Sequence, residues 1–155
     1  MDEPARSTLA ASQLDRILGF IPRVETKASF LFAVHTAMLA LLATNLKVED
    51  LKIWWIAVPA LFSLIAISFG LWCLYHCTFP RLDGGANSMI YFQEIAKRPE
   101  VNFVQEFTRL DHEEFTREIL SQVWRNSEIV SQKFRWVRSA YHWTLIAMLP
   151  WFVFL

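Results

Sequence analysis

Three polar side chains with the spacing of a helix face are the strongest candidates for binding chemistry in this sequence. Gln122, Asn126 and Lys133 follow one another at steps of four and seven residues, so an α-helix carries them along one side. Amide and ammonium groups in such a line can bond to a ligand or to a neighbouring helix. A binding site and a hydrogen-bonded seam between helices are therefore both open interpretations.

The motifs of known catalytic and metal sites are missing from the sequence. Its four glycines form no phosphate-binding loop, and His112-Glu113-Glu114 lacks the second histidine of the HExxH zinc motif. Cys73 and Cys77 lie four residues apart in an apolar run, and two thiols alone do not make a metal site. We interpret them as packing residues, with a redox or palmitoylation role as the alternative. We expect no enzyme, no metal and no bound cofactor.

The composition indicates that much of the chain lies in a membrane. Hydrophobic residues make up 54% of the 155 residues, which exceeds the roughly 45–50% of soluble domains. The 15 Lys and Arg residues balance the 15 Asp and Glu residues, so the chain lacks the basic field that non-specific nucleic-acid binding requires. We expect the lipid bilayer as a partner and no nucleic acid.

Three apolar runs predict an all-α membrane protein. Residues 28–46 and 53–79 contain no Asp, Glu, Lys or Arg, and they predict a transmembrane hairpin across a hydrocarbon core of about 30 Å. The third run, residues 140–155, is shorter and contains Pro150. We expect it to span as well, with a buried or interfacial helix as the alternative. A cytoplasmic helical segment separates the hairpin from this third helix.

The placement of lysine and arginine gives the orientation. Basic residues precede the first span and Arg81 follows the second, so the positive-inside rule places the N-terminus and residues 80–139 in the cytoplasm. Residues 1–27 have the pattern of an amphipathic cytoplasmic helix, and we expect no cleaved signal peptide.

His35 is the one ionisable side chain well inside the first predicted span. Such residues mark functional sites because their burial in lipid is costly. The alternative is a neutral imidazole that bonds to a neighbouring helix. Small residues at Ala33 and Ala37 and at Ala66 and Gly70 permit close helix contact, within the chain or in an oligomer.

The predicted cytoplasmic segment reads as a turn followed by helices. Asn87 or Ser88 can cap a first helix, and Asp111-x-x-Glu114 has the form of a capping box. A long helix should follow this box and end near Arg138, before the third apolar run.

Short motifs occur in a fixed order around the spans. Val24-Glu25-Thr26-Lys27-Ala28 enters the first span, and Pro80-Arg81 leaves the second. Tyr91-Phe92-x-x-Ile95-Ala96 follows, and Gln122-x-x-x-Asn126-x-x-Ile129-x-x-x-Lys133-Phe134 leads into the last helix. In this order and spacing the chain resembles the Pycsar transmembrane effector family, over essentially residues 15–150.

The resemblance implies a multi-pass effector of the bacterial inner membrane that acts against phage. In such systems a companion cyclase makes a cyclic pyrimidine mononucleotide, cCMP or cUMP. The effector then impairs the membrane, so that the infected cell dies or stops growing. The chain carries no recognisable appended nucleotide-binding domain, so residues 80–139 or another chain must sense the ligand.

The ligand that the resemblance implies has a phosphate charge, a flat base and a base edge. Candidate ligand-binding or coupling residues supply charge (Lys27, Arg81, Arg125, Lys133), edge contacts (Gln122, Asn126) and stacking faces (Tyr91, Trp124, Phe134). Because the cytoplasmic segment is small, we expect the site to be shared between protomers of a homo-oligomer.

We expect Glu25, Lys27, Gln122, Asn126 and Lys133 to meet as one polar cluster near the inner membrane surface. Lys133 or Lys27 would pair with Glu25 at rest or bind the ligand phosphate, so that activation exchanges one charge partner for another. Two other interpretations compete with the effector: a non-enzymatic membrane scaffold or accessory subunit, and a holin-like pore former.

Overall fold

The computed structural model describes residues 3–79, 85 and 87–155 of the chain. Of these residues 87% are helical, and none of them forms a strand, which confirms the all-α prediction. These residues group into two compact units. The first unit comprises the described residues of Met1–Pro22 and Pro80–Ser131, and the second comprises Arg23–Phe79 and Gln132–Leu155. The predicted boundaries between residues 27 and 28 and between residues 139 and 140 mark where the chain enters the membrane. They do not refer to these compact units, and they stay predictions.

The described residues form six α-helices. They are α1 (Glu3–Leu18), α2 (Phe20–Asn45), α3 (Trp54–Thr78), α4 (Phe92–Ala96), α5 (Glu100–Arg109) and α6 (His112–Phe154). A 3₁₀ turn at Asp50–Lys52 lies in the connection between α2 and α3.

Helix α6 is longer than the sequence suggested. The expectation that a helix ends near Arg138 is wrong, because α6 continues without a break to Phe154. No glycine or proline occurs around position 138 to interrupt the backbone hydrogen bonds. Its start agrees with the predicted cap, since the backbone N–H of Glu114 donates to Asp111 Oδ1 at 2.7 Å.

Helix α4 begins later than expected. The expectation that Asn87 or Ser88 caps it is wrong, because α4 begins at Phe92. The N–H groups of Ile90 and Tyr91 each donate to Ser88 Oγ at 3.2 Å, which holds this stretch in a turn. Asn87 has a φ of 62°, in the left-handed region that asparagine tolerates better than most residues.

The second unit packs α2, α3 and the last part of α6 side by side. Its buried residues form two clusters, one at Val24, Ala28, Leu31, Cys73, Leu74, Cys77, Val137 and Ala140 and one at Met38, Ala66, Ile67 and Ala147. Phe69 of α3 stacks on Trp143 of α6 with ring centroids 4.9 Å apart. The indole N–H of Trp151 donates to the carbonyl oxygen of Met38 at 3.2 Å. The last part of α6 therefore lies along both helices of the hairpin.

Two stretches of the described chain are long and apolar enough to cross a membrane. They are Pro4–Asn45 and Trp54–Thr78, with mean hydropathies of 1.5 and 2.1 in their most apolar windows. Only 28% and 33% of these windows is buried, whereas the apolar residues of a soluble core helix are mostly buried. This supports the predicted hairpin. The last part of α6 does not pass the same test, so its spanning stays a prediction.

The first unit packs short helices against the first part of α6. The rings of Phe103 and Phe107 on α5 lie 5.7 Å apart, and Phe107 meets Phe115 of α6 edge to face at 5.8 Å. Leu14 of α1 and Ile119 of α6 line one apolar groove.

Candidate functional site

One lysine ammonium group links the three helices of the second unit. Lys133 Nζ on α6 lies 3.2 Å from Glu25 Oε1 on α2, and it donates to the carbonyl oxygen of Cys77 on α3 at 2.9 Å. The Lys133 side chain is 12% exposed, whereas that of Glu25 is 49% exposed. We call the contact among these three residues the Lys133 link.

The end of α3 explains why a cation is stable at this position. Cys77 is in the last turn of α3, where carbonyl groups have no partner within the helix. A cation near a helix C-terminus also interacts favourably with the helix dipole. The thiol of Cys77 in turn donates to the carbonyl oxygen of Lys133 at 3.6 Å. The Lys133 link thus satisfies backbone groups as well as pairing two charges.

A second predicted cation, Lys27, contacts Phe134, the residue that follows Lys133 on α6. Lys27 Nζ is 5.7 Å from the centroid of the Phe134 ring, within the range of a cation–π interaction. Phe134 packs against the buried cluster that contains Val24 and Ala28. The second unit therefore brings together two lysines, a carboxylate and an aromatic face.

The first unit contains a separate polar network around Ser88. Its hydroxyl group donates to Glu118 Oε2 at 3.0 Å and accepts a hydrogen bond from Gln122 Nε2 at 3.2 Å. The backbone N–H of Met89 also donates to Glu118 Oε2, at 2.8 Å. Ser88 and Gln122 are both buried. We call Ser88, Met89, Glu118 and Gln122 the Ser88 network.

Gln122 and Asn126 both make hydrogen bonds within the first unit. Gln122 contributes to the Ser88 network, and Asn126 Nδ2 donates to the Gln122 carbonyl oxygen at 2.8 Å. Gln122 therefore bonds to a turn residue and Asn126 to its own helix, and neither of these bonds is the predicted seam between two helices. The meeting of these two residues with Glu25, Lys27 and Lys133 in one cluster stays a prediction.

Three other predicted site residues, Tyr91, Trp124 and Arg125, belong to the first unit. The Tyr91 hydroxyl donates to Gln93 Oε1 at 3.2 Å, and Trp124 is 63% exposed on α6. Arg125 is half-buried and engaged in an interaction. Arg81 lies outside the described residues.

Glu94 of α4 accepts hydrogen bonds from the residue after α4 and from the turn before it. Lys97 donates to the carboxylate of Glu94, and the N–H of Asn87 donates to the same group at 3.1 Å. These hydrogen bonds, the one from Lys97 first, hold the pKa of Glu94 below its usual value. The resulting stabilisation is fully present above the pKa that Glu94 has in the unfolded chain. It is lost as the pH falls through the lower pKa that Glu94 has in the folded chain.

A comparison with protein families identifies the family of this chain. The sequence profile described as the Pycsar effector protein domain matches residues 9–155, essentially the whole chain. This chain belongs to the Pycsar effector family. Comparison with curated proteins and with solved structures gave no match. The match confirms the resemblance to this family that the short motifs indicated.

Membership in the Pycsar effector family gives the broad function. The chain is a cyclic-nucleotide-regulated antiphage effector. The family consists of transmembrane effectors rather than catalytic enzymes, and the two apolar stretches of this member agree with a membrane location.

Sequence reasoning missed several partners in this Pycsar effector. Ser88 and Glu118 are 30 residues apart, and no motif connects them. The carbonyl oxygen of Cys77 is a backbone group, so residue type gives no signal for it. Its position in the last turn of a predicted helix is the one clue that a cation would be favourable there.

Proposed function

We propose that this Pycsar effector impairs the integrity of the bacterial inner membrane when it binds a cyclic pyrimidine mononucleotide, cCMP or cUMP. A companion cyclase would make the nucleotide during infection, and loss of the membrane barrier would stop phage production by abortive infection. The observation that carries the proposal is the family match over residues 9–155. The two apolar stretches give this chain the means to act in the bilayer.

The Lys133 link and its neighbours have the chemistry to receive such a ligand. A cyclic mononucleotide carries one phosphate charge, which forms strong hydrogen bonds with ammonium groups. Lys27 and Lys133 would supply these groups, and Phe134 would supply a stacking face for the base. Half of the Glu25 side chain is exposed, so an incoming anion can compete with it for Lys133 from the solvent.

Binding would act by exchanging the partner of Lys133. At rest the ammonium group bonds to Glu25 and to the end of α3. If the phosphate draws Lys133 away, α3 loses a bond to α6 and the three helices of the second unit can rearrange. A ligand shifts such an equilibrium only by its difference in affinity for the two states. We further propose that the active state is a homo-oligomer, since the three helices of one chain are few for a membrane pore.

Reconstituted vesicles test this function directly. The full chain is inserted into vesicles that contain a self-quenching dye, and cCMP, cUMP, cAMP or linear 5′-CMP is added from outside. We expect release with cCMP or cUMP and little release with the other two. A holin-like protein would release dye without any nucleotide, and a scaffold would not release it at all. Either result would contradict the proposal.

A further inference from the structure

A buried histidine in the second unit has one ring nitrogen without a partner. His35 of α2 is fully buried, and its Nδ1 lies 2.8 Å from the carbonyl oxygen of Leu31. Because a carbonyl oxygen only accepts, Nδ1 must donate, and in the neutral ring Nε2 is then an acceptor. Among the described residues, His35 Nε2 is a buried side-chain atom with no hydrogen-bond partner.

Gly70 of α3 makes the room that this ring occupies. A Cβ atom at position 70 would lie 2.1 Å from His35 Nε2 and 2.9 Å from Cδ2, far closer than atoms can approach. The ring has little freedom to turn away, because Nδ1 is bonded to Leu31 and no part of the side chain is exposed. The contact between His35 and Gly70 therefore depends on the missing side chain of glycine.

The other buried polar side chains of this unit differ from His35. Ser63 Oγ donates to the carbonyl oxygen of Pro59, and Thr144 Oγ1 donates to that of Ala140, each at 2.8 Å. Both hydroxyl groups are satisfied within their own helix and gain little from water. His35 Nε2 gains a hydrogen bond as soon as water reaches it, because an unmet buried acceptor is unfavourable.

We infer that the contact between His35 and Gly70 is the closed barrier of the second unit, and that activation separates α2 from α3 there and exposes Nε2 to water. This inference rests on the proposed membrane-impairing function and names the position at which the barrier opens. In the closed state the ring fills the gap left by Gly70. In the open state the imidazole lines the path that water and small ions enter.

A substitution at Gly70 tests the barrier without any nucleotide. Gly70→Ala forces the ring and α3 apart, so we expect vesicles with this variant to leak several-fold faster at rest than those with the native chain. Ser68→Ala is the matched control, because it places the same side chain on an exposed position of α3. In the double variant His35→Ala/Gly70→Ala the clash is absent, and the resting leak should fall back toward that of the control.

Labelling at position 35 gives a second test that does not depend on Gly70→Ala being inserted. The His35→Cys variant should react with a water-soluble thiosulfonate several-fold faster after cCMP or cUMP is added than before. This increase must exceed the one that the same nucleotide causes in the native chain through Cys73 and Cys77. The inference is overturned if Gly70→Ala inserts normally and its vesicles leak no faster at rest than those with Ser68→Ala. It is also overturned if activated vesicles leak while the thiol of the His35→Cys variant stays unlabelled. If no nucleotide causes the native chain to release dye but vesicles with Gly70→Ala leak at rest, the proposed ligand is wrong. The assignment of the barrier to His35 and Gly70 is then still supported.

Discussion

Lys133 and Glu25, which are 108 residues apart in the sequence, form an ion pair at 3.2 Å. The same ammonium group bonds to the carbonyl oxygen of Cys77. Each of these residues lies within two positions of a point where the chain passes from one compact unit to the other. A change in the partner of Lys133 therefore occurs close to the chain positions at which the second unit begins and ends.

The two members of this ion pair should give opposite phenotypes. Glu25→Gln frees Lys133 for the phosphate, so we expect activation at a lower nucleotide concentration. An ion pair with one half-exposed partner contributes about 0.2–1 kcal/mol, which limits the shift to roughly fivefold or less. Lys133→Gln removes the cation but keeps a side-chain N–H donor for the carbonyl oxygen of Cys77. It should therefore abolish nucleotide-induced dye release while membrane insertion stays normal.

Lys47→Gln, in the exposed connection between α2 and α3, is the control for loss of a positive charge. The amount of inserted protein must be measured beside dye release. If Glu25→Gln and Lys133→Gln both lose inserted protein in parallel with activity, while Lys47→Gln does not, the Lys133 link is structural and the exchange of partners is refuted.

The Ser88 network should stabilise the turn before α4. Glu118→Ala removes the acceptor of the Ser88 hydroxyl and of the Met89 N–H. Leaving buried donors unpaired costs roughly 1–3 kcal/mol, so the amides of residues 87–91 should exchange their hydrogens faster. Hydrogen exchange followed by mass spectrometry measures this, with Glu128→Ala on α6, outside the network, as the control. Unchanged exchange in Glu118→Ala would show that the network contributes no local stability.

The helices of this chain were largely predictable because hydropathy and capping act locally. The two uncharged runs correspond to the apolar part of α2 and to α3, and Asp111 caps α6 as its spacing predicted. The continuity of α6 through position 138 was not predicted, because a change from charged to apolar residues resembles a boundary without breaking a helix.

The site was predictable only in part, because its contacts join distant segments. Glu25 and Lys133 were singled out as members of one polar cluster in which Lys133 or Lys27 pairs with Glu25, and the structure pairs Lys133 with Glu25. The pairing of Gln122 with Ser88, 34 residues away, requires the folded turn before α4. His35 and Gly70 were each notable in the sequence for different reasons, and three-dimensional packing alone shows that one fills the space left by the other.

The cap of α6 offers a simple stability test. Asp111→Ala removes the acceptor of the Glu114 N–H, and loss of such a cap costs about 0.5–2 kcal/mol. We expect a lower thermal midpoint for the detergent-solubilised protein. Asp111→Asn keeps a capping oxygen and should be much closer to the native chain. Equal midpoints for Asp111→Ala and the native chain would contradict this role.

The predicted topology can be tested by cysteine labelling in intact cells. We expect Glu49→Cys to react with a membrane-impermeant thiol reagent from the periplasmic side, and Gln105→Cys to react only after the cells are opened. Both positions are exposed, whereas Ser88 is buried and would give a false negative. Labelling of the Gln105→Cys variant in intact cells would refute the cytoplasmic placement of residues 80–139.

The membrane potential of cells that contain this chain and a pyrimidine cyclase tests the central claim most directly. The chain is produced alone, with an active cyclase, and with a catalytically inactive cyclase, and a voltage-sensitive dye reports the potential. The account predicts that the inner membrane depolarises only with the active cyclase, and that Lys133→Gln prevents this at the same protein level. A potential that stays unchanged while cCMP or cUMP accumulates in the cells would contradict the account.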